Sequence, residues 1–317
     1  MGCRSGSTLR PATSSPCSPK NWSDPVDLAA LQVEGPFFLE LFAGKAGISE
    51  AVLLQGVPIL PPVDIVISDM VAAPVDIVDW KFWNKILSVV MAGLVFFLHC
   101  GTPCNTFTSA RKNDGGPPPL RSALEPMGLQ DLSVDNWALV FLGNIFLLRT
   151  AEACRLVFDL GGNFSIANPL LSLMWQTTVM QQLISETRAL ALDFDQCAFG
   201  APSVKPTRLV CSTDLLDDVC VRCPGDHYHV QLKGKVRDPR TGKLIFRTKA
   251  AQIYPWALCA TLAMDISMLY RDALAHLRPS FGLTTPAADR KRELGSSPSR
   301  HCLESSVGWL SAKAGGR

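Results

Sequence analysis

A chain of 317 residues, 47% of them hydrophobic and with a mean hydropathy of +0.18, has the material for a sizeable core and is not a wholly disordered protein. Its formal charge of only +2 excludes a global electrostatic footprint for nucleic acid, leaving local clusters to supply one. Eleven cysteines, an odd number with no charged-then-apolar leader ahead of them, read as the reduced thiols of an intracellular protein, nuclear or cytoplasmic and not secreted.

Residues 1–25 are rich in Ser, Pro and Arg and are expected to be a disordered tail. A first strand is expected at about 37–41, followed by a turn containing Gly44 and Gly47 and a helix over 48–55. Strand, glycine turn, helix is the layout that lets backbone approach a nucleotide-like ligand, although many such junctions need a glycine for steric reasons alone. A second strand within 57–66 brings Asp64 to its end, where doubly wound folds hold ribose hydroxyls. Asp76 and Asp79 flank a short apolar step, and Asp79 is placed to cap a helix over 80–91. The longest apolar stretch noted, 86–98, is too short to span a bilayer, so no membrane partner is expected.

Residues 94–98 suit a buried strand of a parallel sheet, which runs into a loop carrying Pro103 and Cys104. A thiol at the carboxyl end of such a strand stands where ligands bind in open α/β sheets. The following segment, RKNDGGPPPLRS at 111–122, predicts no regular structure, and its Arg111, Lys112 and Arg121 are candidate phosphate contacts. A long helix over 135–160 stops at Gly161-Gly162. A strand over 164–167 then leads into Asn168-Pro169. A helix over 171–188 carries Trp175 as a core residue, a strand follows near 190–195, and Lys205 and Arg208 lead a strand ending at Cys211. The alternation predicts an α/β fold with a mainly parallel, doubly wound sheet formed by 26–213 and 251–277. Residues 214–250 read as a small β-rich insertion, with a hairpin pairing 228–232 and 244–247. Within it Cys220, Cys223, His227 and His229 offer four zinc-type ligands in ten residues, while strand alternation alone would also put both histidines on one face. A final helix over 255–277 closes the domain, and 278–317 read as a second disordered tail.

LELFAGKAGIS followed by GTPCNTFTSAR resembles the first and fourth signature motifs of the cytosine-5 DNA methyltransferases. IANP at 166–169, FGAPSVKPTRLV at 199–210 and AQIYPWALCATLA at 251–263 follow in the family's order, so the resemblance spans roughly residues 36–270. It implies a Rossmann-like methyltransferase fold, S-adenosylmethionine as cofactor and DNA as partner, with RNA left open. On it, Cys104 is the nucleophile that adds to carbon 6 of cytosine, and the base is flipped out of the duplex to meet it. Phe42, Gly44, Gly47 and Pro103 frame the cofactor, Asp64 binds its ribose and Asp76 its adenine amino group. Asn168, of the Asn-Pro motif, and Arg208, near the base or its phosphates, join Cys104 as the catalytic residues the resemblance implies.

Three departures go with the resemblance. Ala167 stands where the family has the Glu that reads the cytosine ring nitrogen and assists its protonation, help worth on the order of 10²–10⁴-fold. Glu186 is a candidate substitute acid. Ala46 replaces a customary Gly, and the region between Arg208 and Tyr254 is small for target recognition. A catalytically degenerate cofactor- or nucleic-acid-binding module is therefore the alternative. A thiol hydrolase pairing Cys104 with His99 is a third reading, made awkward by their five-residue offset within one strand and loop.

Overall fold

The computed structural model describes residues 21–112, 116–238 and 241–277. The expected tails lie outside these residues, except for 21–25, which are ordered into the domain. Trp22 is 1% exposed there, and its indole donates to the Pro61 carbonyl at 2.8 Å. The Lys85 ammonium binds the Trp22 and Asp24 carbonyls, so the domain begins ahead of residue 26. A short helix not anticipated from sequence, α1 (Leu28–Glu34), follows with Asp27 as its N-cap.

The sheet starts with β1 (Phe37–Leu41), and α2 (Gly47–Leu54) follows the glycine turn. The expected second strand is reduced to two parallel bridges, Phe38–Ile59 and Leu41–Val63, on the outer edge of β1. Pro58, Pro61 and Pro62 explain the reduction: three residues of the segment have no N–H to give to a ladder. α3 (Trp80–Met91) is capped as expected by Asp79, which accepts from the Lys81 amide. β2 (Val95–Cys100) follows, then α4 (Val134–Asp159), β3 (Asn163–Pro169), a 3₁₀ turn over Leu173–Gln176 and α5 (Thr178–Thr187). The Ser172 and Thr177 side chains each accept a backbone amide, splitting the expected 171–188 helix in two. β4 (Leu190–Asp195) and β5 (Pro206–Cys211) complete the sheet.

The order is β1-β2-β3-β5-β4. β1, β2 and β3 are parallel, while β5 is antiparallel to both β3 and β4. The fold is thus α/β, but the sheet is mixed, and only its first half is parallel. β4 and β5 are joined by only the 196–205 connection, too short for a crossover helix, so they pair as a hairpin. Helices cover both faces. On one, α4 packs against β2, β3, α3 and α5. On the other, α2 packs on α7 (Trp256–Leu277) over a separate apolar cluster that includes Phe38, Phe97, Ala167 and Leu209. Among the described residues α4, at 26 residues, is long and apolar enough to cross a membrane, a property the sequence reading missed; here its inner side belongs to the core.

The insertion is less β-rich than expected. Its strands are β6 (Lys235–Arg237) and β7 (Leu244–Phe246), with a four-residue α6 (Arg247–Ala250) behind them. β7 therefore pairs with 235–237 and not with 228–232.

Candidate functional site at the β1–β2 switch point

The bridged segment 59–63 lies on one side of β1, and β2 lies on the other. The chain therefore reverses its direction of travel across the sheet at β1, and the carboxyl ends of β1 and β2 flank the crevice where open α/β sheets bind ligands. Both sequence motifs open from these two ends.

The β1 end is a turn with three left-handed residues in five: Phe42 (φ 57°), Gly44 (φ 57°) and Ala46 (φ 54°). For Phe and Ala this conformation costs roughly 1–2 kcal/mol each. Open space surrounds the position a Gly44 Cβ would take, so the backbone there can be approached from outside. Gly47 opens α2 beneath Cys259, with 3.1 Å between that sulfur and the position of a Cβ. Asp64 holds the turn: its Oδ2 accepts the Gly44 amide at 2.8 Å and its Oδ1 the Val66 amide at 2.7 Å. Each oxygen keeps a second lone pair for a hydroxyl group. Asp76 is exposed, and its carboxylate accepts the Val78 amide just ahead of α3. Phe42 is half-buried, edge-on to Phe146.

The β2 end meets this turn closely. The Gly101 amide donates to the Leu41 carbonyl at 3.0 Å, and a Cβ at Gly101 would lie 2.8 Å from the Phe42 carbonyl oxygen. Only glycine fits between two backbones at that separation. Gly101→Ala is expected to destabilise the fold by about 2 kcal/mol, the usual scale for overpacking. Urea denaturation checks this, and an unchanged midpoint would mean that the two strand ends are not locked together.

Three residues on, Cys104 is half-buried. Burial pushes its thiol upward, and the nearby Lys205 ammonium opposes that shift. Lys205 is itself lowered to about 8 by burial, with Cys104 acting in the other direction. Its ammonium donates to the Ala251 carbonyl and lies 5.7 Å from the centre of the Tyr254 ring. Tyr254 is kept protonated, chiefly by burial. Its hydroxyl lies 3.6 Å from the position of a Gly101 Cβ. Ala167 belongs to the same face: one position beyond the Cys100–Ile166 pair, it is level with Gly101 and 5% exposed.

Below this layer runs a polar row formed by register, Glu40–His99–Ser165. Glu40 accepts both the amide and the hydroxyl of Ser49 and is raised to about 7, mainly by burial. His99 shares a 2.8 Å hydrogen bond with Ser165, has no partner at Nε2 and is lowered to about 3 by burial. Nδ1 is tied to Ser165, and no group among the described residues, Cys104 included, hydrogen-bonds Nε2, so the Cys104–His99 hydrolase pair has no support.

The remaining sequence candidates are placed differently from one another. Asn168 donates to the Thr102 carbonyl at 2.7 Å, while its buried Oδ1 has no protein partner. It is a positioning residue for the Cys104 loop. Arg208 forms a bidentate pair with Asp193 on β4 at 2.7 and 2.8 Å, so its guanidinium is already engaged. Arg121 is not a phosphate contact. It is 4% exposed, stacked 3.7 Å over Phe107 and bonded to Thr106, Asn144 and the Pro126 and Val140 carbonyls. Arg111 turns inward onto the Asn105 and Pro118 carbonyls, Lys112 is exposed, and 113–115 lie outside the described residues. Glu186 is exposed and bound to Arg155 and Gln182, so it is not the substitute acid. Trp175 is core, as expected.

Sequence reading missed Lys205 and Tyr254 as site residues, although both fall within motifs it singled out. It also missed the charge of the β6–β7 unit: Lys233, Lys235, Arg237, Lys243, Arg247 and Lys249 stand against Asp238 among the described residues. That unit faces the Cys104 loop. A hollow of about 480 Å³ is lined by Asn105 on one side and by Leu244, Ile245, Phe246, Thr248, Lys249 and Gln252 on the other. A second, of about 340 Å³, lies between Gln196, the 200–203 loop and Tyr254. Neither hollow is lined by the glycine turn. No family model matches the chain, and no curated protein matches it significantly.

Proposed function

We propose that the chain is a divergent cytosine-5 methyltransferase with a Rossmann-like fold, which binds S-adenosylmethionine at the β1 turn and presents Cys104 to a cytosine of DNA. The observation carrying this reading is the switch point: the glycine turn and the Cys104 loop leave adjacent strand ends, touching at Gly101 and Phe42. The open space at Gly44 and the spare lone pairs of Asp64 suit a nucleoside with free hydroxyl groups. When bound, S-adenosylmethionine supplies an electrophilic methyl group.

Cytosine carbon 5 is too weakly nucleophilic to take that group unaided. Addition of the Cys104 thiolate to carbon 6 makes carbon 5 enamine-like, and loss of the carbon 5 proton later expels the thiolate. Lys205 favours the thiolate by its charge. The basic β6–β7 unit attracts the phosphate backbone, and the hollow beside Asn105 gives a flipped base room. Ala167 offers no proton to the ring nitrogen. Protic groups on its face include the Tyr254 hydroxyl and the Lys205 ammonium.

Calorimetric titration with S-adenosylmethionine tests the cofactor half. Binding is expected to weaken at least about tenfold in Gly44→Val, which fills the open approach and strains a left-handed position. Equal binding by both chains would remove the turn from the site. The Ala167 methyl group favours the degenerate, non-catalytic module as second reading; robust wild-type turnover on cytosine DNA would eliminate it, whereas turnover only in Ala167→Glu would support it.

A further inference from the structure

We infer that Cys197, Cys223, His227 and His229 form a closed, four-ligand zinc site that pins the insertion to the α/β domain. Cys197 comes from the 3₁₀ turn Gln196–Phe199 at the end of β4, and the other three come from the irregular stretch between Val219 and β6. All four ligand atoms lie within 4.8 Å of one another. Cys223 Sγ is 3.3 Å from His229 Nε2 and 4.0 Å from His227 Nε2, and the two Nε2 atoms are 2.9 Å apart. A tetrahedron with ordinary zinc–sulfur and zinc–nitrogen bond lengths has edges of roughly 3.3–3.8 Å, so the donors already sit near the corners of one. Cys220, a sequence candidate, is outside the group and packs with the α2–α7 cluster.

A second observation points to a ligand. His227 Nδ1 lies 3.0 Å from the Asp226 carboxylate. A carboxylate there fixes the proton on Nδ1 and leaves the Nε2 lone pair aimed into the group, the arrangement that orients metal-binding histidines. The Gly225 amide also donates to Cys223 Sγ at 3.3 Å, which holds that sulfur in place beside the two imidazoles. The metal has structural work to do as well. No helix or strand forms between Val219 and Lys235, and the stretch meets the domain through few backbone bonds, Asp195 to Val221 and Val230 to Pro202 among them. Four protein ligands leave zinc no open position, so the site is structural, not hydrolytic. It does not depend on the methyltransferase reading, but it fixes the wall of the 340 Å³ hollow that Val230 and Gln196 share.

The test is elemental analysis of the purified full chain, with cobalt substitution as a second readout. About one zinc per chain is expected, replaced by cobalt with the visible bands and thiolate charge transfer of a tetrahedral site. Cys197→Ser and His227→Ala should lose the metal, while Cys220→Ser should keep it with unchanged cobalt bands. Absence of zinc together with no cobalt spectrum in the folded wild-type chain would overturn the proposal. So would retention of zinc by Cys197→Ser with loss from Cys220→Ser, because the ligand set would then be the wrong one. The wild-type cobalt spectrum keeps the test open should a variant fail to fold.

Discussion

Cys104→Ala will form no covalent complex with 5-fluorocytosine DNA in the presence of S-adenosylmethionine, whereas the unsubstituted chain will be trapped. Fluorine at carbon 5 leaves no proton to remove after methyl transfer, so the thiolate cannot be expelled and the adduct persists. Denaturing electrophoresis reads the outcome directly, and trapping that survives the substitution would exclude Cys104 as the nucleophile. Lys205 gives this result a pH signature. Burial raises the thiol, and a protonated Lys205 lowers it again, so Lys205→Met should slow alkylation of Cys104 at neutral pH roughly tenfold. Lys205 loses its proton near 8, so the gap between the two chains should close as pH rises beyond that. Rates that stay parallel across the range would mean that the Lys205 charge does not act on the sulfur.

Much of the sheet was legible from runs of buried residues: 94–98 could be little else but a strand, and the structure buries all of Val95–Cys100. Asp79 could be read as a cap because a side-chain acceptor before a helical run has one strong local use. What escaped depended on partners distant in sequence. The direction of β5 is set by its hairpin with β4, and both look alike in a hydrophobicity profile. Arg121 reads as a surface cation because nothing near it in sequence announces that Phe107, Thr106 and Asn144 will enclose it. Cys197 lies 26 residues from Cys223, so a search for close ligand spacing selected Cys220 in its place. Gly101 passed unnoticed because its need is not a turn but the approach of a neighbouring backbone.

The buried row Glu40–His99–Ser165 should give stability an unusual pH profile. His99 is held neutral, its value falling from 6.5 to about 3, so the unfolded chain binds the extra proton in that window. Its contribution is full above 6.5 and drains away as pH falls toward 3, by at most about 5 kcal/mol at ~1.4 kcal/mol per pH unit. Glu40 runs the other way. Raised from 4.5 to about 7, it binds its proton more tightly in the fold, so its contribution is full below 4.5 and is lost as pH rises through 7, by at most about 3.5 kcal/mol. Between 4.5 and 6.5 the two slopes oppose each other and cancel. Glu40→Gln keeps an acceptor for Ser49 and removes the titration, so His99 alone should then act: relative to wild type, stability should fall by about 1.4 kcal/mol for each unit of acidification across that window. His99→Gln should show the opposite slope against the same reference. The two residues are paired across adjacent strands, so the double variant is needed to separate their coupling from their individual slopes. Urea denaturation at intervals from pH 4 to 8 measures all four chains. If Glu40→Gln and wild type keep a constant difference over the whole range, Glu40 does not titrate there, and burial does not hold its carboxyl group raised to about 7.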